Sequence, residues 1–225
     1  MEAHAEASGP VTAKRAFDPI LIGLPVGFAF CLLLLPIHLD RLFGLPAHPL
    51  LLHLPVVLIP VLAAAAIAVA VRPRWRERYG LALAVLALVA LASTVLAAGA
   101  GDALLESRRA LGAVDPTLSE HAELGEQLRN IMVVFAGGVV ALAMLDAVRR
   151  RGNGPSALRL LADLIHHPRL ELAARVALAL VAAVALVWAV RTGHAGAKAT
   201  WDQPAGAGEG SPALSGDSQG SNRLP

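Results

Sequence analysis

The sequence predicts an all-α polytopic membrane bundle, with four core transmembrane helices and one N-terminal hydrophobic element ahead of them. Three observations carry this. Of the 225 residues, 56% are hydrophobic and only 16% charged, against about 25% charged in a soluble domain. The mean hydropathy is +0.61. The apolar residues gather into five runs long enough to cross a hydrocarbon core of about 30 Å as helices rising about 1.5 Å per residue.

The runs are residues 20–37, 49–71, 79–101, 130–148 and 173–192. Pro25 and Pro36 interrupt the first, and Gly23 and Gly27 loosen it, so a kinked or re-entrant element is the alternative to a full crossing there. Lys14 and Arg15 ahead of it resemble the start of a signal peptide. No small-x-small cleavage site follows Ile37 before the next run, and the element reads as an uncleaved anchor. The expected division is a polar leader at 1–17, a hydrophobic helix at 18–44, a four-helix membrane domain at 45–201 and a tail at 202–225. That tail is rich in Gly, Ser, Pro and Ala, holds too little bulk to fold and is expected to be disordered. Residues 18–26 also align without gaps on residues 48–56, with five identities in nine, the prolines kept and both histidines missing. Read as a duplication, the first element is a scaffold copy of the second.

Orientation follows from the loop arginines. Arg72, Arg74, Arg76 and Arg78 follow the second run, and Arg149, Arg150, Arg151, Arg159, Arg169 and Arg175 follow the fourth. Both segments are expected in the cytoplasm. The segment between the third and fourth runs carries Asp102, Glu106, Asp115, Glu120, Glu123 and Glu126 and suits the outer side. The expected location is a bacterial cytoplasmic (inner) membrane, with the C-terminus extracytoplasmic. Trp188 and Trp201 at the outer end, and Trp75 and Tyr79 at the inner end, read as interfacial anchors. The formal charge of +2 is spread as short arginine clusters, which argues against nucleic acid. The single Cys31 excludes an intramolecular disulfide, and no zinc or iron–sulfur spacing is present.

Before the fourth run, Asp115 and Pro116 fit an N-cap and first helical residue, and Thr117 with Glu120 fits a capping box. His121, Leu124, Leu128 and Met132 then share a stripe, so His121 is expected to face the bundle. Gly99, Gly101, Gly137 and Gly138 offer room for close helix approach.

The histidines are the most informative residues. His38, His48, His53, His121 and His194 all fall at or just below the outer ends of elements, although far apart in sequence. His166 and His167 lie in an inner arginine-bearing loop, and His4 in the leader. Imidazole ligates haem iron, copper and zinc, and polar groups in a membrane usually face the bundle interior. His53 is the sharpest candidate, surrounded by apolar residues in the run His48-Pro49-Leu50-Leu51-Leu52-His53-Leu54-Pro55. His48 and His53 are five apart, roughly 140° around a regular helix, so they share a site only if the prolines alter the geometry. For His38, His166 and His167 the plain reading as solvated interfacial groups is favoured.

The run from Leu45 to Pro55, and the run Gly193-His194-Ala195-Gly196 near the last span, resemble the bacterial membrane proteins grouped as domain-of-unknown-function family 2231, with its early His-Pro-x-x-x-His-x-Pro and late Gly-His-x-Gly motifs. His48, His53, Pro55, Gly193, His194 and Gly196 carry the likeness, over about residues 45–201. It implies the two motif sites. Some relatives stand beside or are fused to Rieske-type iron–sulfur domains, which implies redox company.

The leading functional expectation is a helical bundle binding b-type haem for electron transfer, with His53 and either His121 or His194 as axial ligands and Arg191 on a propionate. A redox partner protein is expected with it. The alternative is copper or zinc held by His48, His53, His121 and His194, with Glu120 or Glu123 as occasional partners. A third reading is an accessory membrane subunit without a cofactor. No Ser/His/Asp order or phosphate-cradling loop supports an independent enzyme, and no charged residue at a span centre supports transport. Replacing His53 is expected to remove the cofactor, and replacing His166 to change little.

Overall fold

The computed structural model describes residues 19–152 and 154–201. The expected leader, His4, Lys14, Arg15 and the expected tail at 202–225 lie outside these. In chain order the elements are α1 (Pro19–Leu33), a hairpin of β1 (Arg41–Leu42) and β2 (Leu45–Pro46), α2 (Ala47–Leu51), α3 (His53–Val71), α4 (Pro73–Ala110), α5 (Pro116–Arg151), α6 (Ser156–Ile165) and α7 (Pro168–Trp201). Four helical stretches are long and apolar enough to cross a membrane: Ala47–Val71, Pro73–Ala110, Pro116–Arg151 and Pro168–Trp201.

The first of these combines α2 and α3 through Leu52, whose φ of −66° and ψ of −18° are themselves helical. The ladder is interrupted because Pro55 has no N–H to donate one turn back. The other three helices have 38, 36 and 34 residues, about 57, 54 and 51 Å of rise, and so project well beyond a core of about 30 Å. α1 behaves differently. Its 15 residues rise only about 22 Å, and beyond Leu33 the chain turns and becomes irregular up to Asp40. The first hydrophobic run is therefore a short helix and a turn, not a helix through residue 37.

α3, α4, α5 and α7 form a closed ring of neighbours, with α1 laid over the seam between α4 and α5. Small residues make this packing close. Ala66 of α3, Ala87 of α4, Ala136 of α5, and Ala182 and Ala185 of α7 are fully buried, and such residues let membrane helices approach. Leu62, Leu91, Met132 and Phe135 fill the space between them. Buried Ser93 and Thr94 both donate to the Ala90 carbonyl, at 2.9 and 2.7 Å, which satisfies hydroxyls that lipid could not. Leu180, Val184, Val187 and Val190 of α7 face outward, an apolar surface suited to acyl chains.

Two details correct the sequence reading of α5 and α4. Asp115 is the N-cap as expected and accepts from the Leu118 amide at 2.7 Å. Thr117, however, donates to Asp115 Oδ1 and forms no box with Glu120, because it stands inside the first turn. Gly99 sits under the chain leaving α1, where a Cβ would collide with the Ile37 carbonyl, and Gly137 takes the Phe28 ring, whereas Gly138 has nothing within 4 Å.

The arginine-rich end is closed by a cluster from four elements. Arg76 of α4 pairs with Asp146 of α5 (Nε to Oδ2, 2.9 Å) and lies 3.8 Å from Glu171 of α7. His166, just past α6, donates from Nδ1 to the Ala162 carbonyl at 2.6 Å, and its Nε2 is 3.1 Å from both Arg76 Nη2 and Asp146 Oδ1. The side chains of Arg76, Asp146 and His166 are about nine-tenths buried, at 11%, 6% and 10% exposure. His166 is thus part of a buried polar joint, not a solvated loop residue. Its sequence neighbourhood concealed this because every one of its charged partners belongs to another helix.

Candidate functional site

At the other end of the bundle two imidazoles lie against one another. The rings of His48 (α2) and His121 (α5) have centroids 6.0 Å apart and an interplanar angle of 71°. Each ring is seated on a neighbouring helix in the same way. His48 Nδ1–H donates to the Ala97 carbonyl of α4 at 2.8 Å, and the ring covers Gly101, one turn on, where a Cβ would come within 3.0 Å of its atoms. His121 Nδ1–H donates to the Thr192 carbonyl of α7 at 3.0 Å and covers Gly196, again one turn on, where a Cβ would come within 2.8 Å. Both rings are half-buried.

The repeated arrangement has a simple physical basis. A helix surface admits a flat ring against its backbone only where a Cβ is missing, and there the ring N–H can reach the carbonyl one turn earlier. The backbone carbonyl can only accept, so it fixes the proton of each neutral ring on Nδ1 and leaves the Nε2 lone pair for a ligand. Such a carbonyl on the far ring nitrogen is the usual device that orients metal-binding histidines.

The local structure explains why these two rings meet. His121 heads the stripe predicted for α5; Leu124, Leu128 and Met132 below it are buried. His48 sits in the short α2, which packs on α4 and is delivered there by the hairpin. That hairpin turns through Phe43 and Gly44, whose φ values of 53° and 80° are both positive, as a tight two-residue turn requires.

The remaining candidates take no part in this ring contact. His53 is exposed and its Nδ1 is 3.4 Å from Leu50 O in its own turn. His194 is exposed. Arg191 is exposed too, its Cζ 5.1 Å over the Trp188 ring. Trp188 is more than an interfacial anchor, since its indole N–H donates to Gln127 of α5 at 2.9 Å. His38 is exposed and contacts the Pro36 carbonyl. Among the described residues, no group of three or more His, Cys, Asp or Glu side chains is placed to hold a metal ion. The set His48, His53, His121 and His194, with Glu120 or Glu123, is therefore not gathered into one such group among the described residues; of the four histidines, His48 and His121 are the two whose rings meet.

Sequence reasoning passed over Ala97, Thr192 and the seat that Gly196 provides. A signal existed. Ala182, Ala185, Ala189, Thr192 and Gly196 recur at intervals of three and four, a single helical face. That periodicity turns Gly196 toward α5 and carries His194, two residues away, to the far side.

The chain matches the family described as predicted membrane protein (DUF2231) over residues 44–208. The chain belongs to that family. The matched region begins at the hairpin turn and takes in α2, α3, α4, α5, α6 and α7, so both histidine seats of this DUF2231 protein fall inside it while α1 stands outside. No curated protein and no solved structure matches the chain.

Proposed function

We propose that this DUF2231 protein is a membrane-embedded electron-transfer subunit that holds b-type haem between His48 and His121, with the histidine-bearing end on the extracytoplasmic side of a bacterial inner membrane. The observation that carries the reading is the matched pair of Nδ1-anchored imidazoles 6.0 Å apart. With metal–nitrogen bonds of about 2.0–2.1 Å, two imidazoles that share one metal must have their rings a few ångströms apart, and the 6.0 Å between the His48 and His121 centroids is of that order. Donor number supports haem over a bare ion. A four-coordinate zinc or copper site wants three or four protein donors, while a bis-histidine haem wants two from separate helices.

Bound there, held by His48 and His121, the haem would supply one-electron redox chemistry. The work of the chain is to fix the two rings: the Ala97 and Thr192 carbonyls set their tautomer, and Gly101 and Gly196 set their depth. Arg191, held beside Trp188, is the candidate propionate partner, since a guanidinium matches a carboxylate in charge and geometry. The outward orientation rests on the arginine asymmetry of the connections.

The test is an optical spectrum of protein purified from cells supplied with haem. A Soret band and a sharp reduced α band are expected, lost in His48→Ala and His121→Ala and kept in His53→Ala and His194→Ala. A colourless wild-type protein with stoichiometric copper or zinc would replace haem by an ion. Absence of both would reject the reading, and loss of the band in His53→Ala would return His53 to the ligand set.

A further inference from the structure

At the arginine-rich end most of the buried guanidinium capacity is engaged within the protein. Arg76 is held by Asp146 and Glu171, and Arg175 donates from Nε to the Ala70 carbonyl at 2.6 Å and from Nη2 to the Val71 carbonyl at 3.3 Å. Arg72 and Arg78 are arranged differently. The Arg72 Cζ lies 4.7 Å over the Trp75 ring, the Arg78 Cζ lies 5.6 Å over the Tyr79 ring, and the two rings meet edge to face with centroids 6.2 Å apart. Neither arginine has a carboxylate partner among the described residues. A guanidinium held by its face on an aromatic ring keeps its N–H edge free, and that planar fork fits a phosphate oxygen pair.

Beside this ladder the corner between α3 and α4 opens into a groove of about 320 Å³ lined by Ala68, Val71, Arg72 and Trp75. An apolar strip leads away from it along α3. Val57, Val61, Ala64, Ala68 and Val71 follow one another at intervals of four and three, and Val57, Val61 and Val71 are 61%, 51% and 67% exposed. Oriented cations, a groove of partly apolar wall and an apolar track lie in the order of a lipid's phosphate, glycerol and acyl chain. We infer that the Arg72–Trp75–Tyr79–Arg78 ladder and this groove bind one anionic glycerophospholipid of the adjacent leaflet, its phosphate on the Arg72 guanidinium that lines the groove, a tail along α3, and Arg78 at the far end of the ladder adding positive charge. The surrounding arginine excess favours a headgroup with net negative charge over a zwitterionic one.

The test uses the full chain with Trp188→Phe and Trp201→Phe, which leaves Trp75 as the sole tryptophan, in phosphatidylcholine bilayers titrated with phosphatidylglycerol carrying brominated acyl chains. Trp75 emission is expected to fall along a saturable curve that unbrominated phosphatidylglycerol reverses, while brominated phosphatidylcholine gives only a gradual linear loss. Arg72→Gln with Arg78→Gln should abolish the saturable part, and Arg149→Gln with Arg150→Gln should leave it. Equal linear quenching by both lipids would overturn the proposal. So would a saturable curve that survives Arg72→Gln with Arg78→Gln, or one that Arg149→Gln with Arg150→Gln removes just as well, since diffuse surface charge would then explain it.

Discussion

The two ends of the bundle each press an imidazole against other helices, and they use it in opposite ways. At the arginine-rich end, His166 Nε2 lies within 3.1 Å of a guanidinium and a carboxylate, so both nitrogens are engaged by the protein. At the other end, His48 and His121 each commit only Nδ1, to an uncharged carbonyl. A histidine that closes an ion cluster holds helices together. One that rests on glycine and donates a single proton keeps a nitrogen for something else.

The largest effect expected from this contrast is on cofactor retention. His121→Ala should abolish the reduced α band with the protein still inserted in the membrane, whereas His166→Ala should keep the band. A spectrum lost in both variants would mean that the two ends are not separable. Next comes stability. Asp146→Ala leaves the buried Arg76 with only the more distant Glu171 carboxylate, 3.8 Å away, and should cost up to about 3–5 kcal/mol, the range for removal of one member of a buried pair. Denaturant unfolding in detergent measures it, and a midpoint equal to wild type would show that the cluster is solvated. Replacing the pair together, with Arg76→Met and Asp146→Leu, should cost much less than Asp146→Ala alone.

A smaller effect sharpens the idea of the glycine seat. Gly196→Ala puts a Cβ 2.8 Å from the His121 ring, and Gly193→Ala meets nothing within 4 Å. The first should lower cofactor occupancy and cost about 1–3 kcal/mol, the usual range for overpacking; the second should leave occupancy unchanged. Equal occupancy in both would show that the His121 ring moves freely. The smallest effect belongs to Asp115. The Thr117 hydroxyl, and then the Leu118 amide, hold its carboxyl below the usual carboxylate range. The charged cap therefore stabilises the folded state above the unfolded carboxylate value, and that contribution is lost as pH falls through the lowered folded value. The drop in thermal midpoint on acidification should be slightly smaller in Asp115→Asn, which caps without titrating. An identical drop would remove Asp115 from the account.

Particular residues show where sequence reasoning reached and where it stopped. The Asp115 cap and the inward turn of His121 were legible because caps and helical stripes are local. The shortness of α1 was half legible, in Pro25 and Pro36. His53 drew attention because apolar residues surround it in the chain, yet that setting is also what a helix turned toward lipid presents. His48 ranked behind it, because nothing within ten residues of His48 reveals Ala97 or Gly101.

By itself the sequence determined the four spans and the arginine-rich ends, since transfer of an apolar helix into lipid depends on its own length and composition and needs no particular neighbour. Only the tertiary structure decided which histidines pair. A ring's seat requires a bare stretch of backbone on another helix, and those acceptors lie 49 and 71 residues further along the chain.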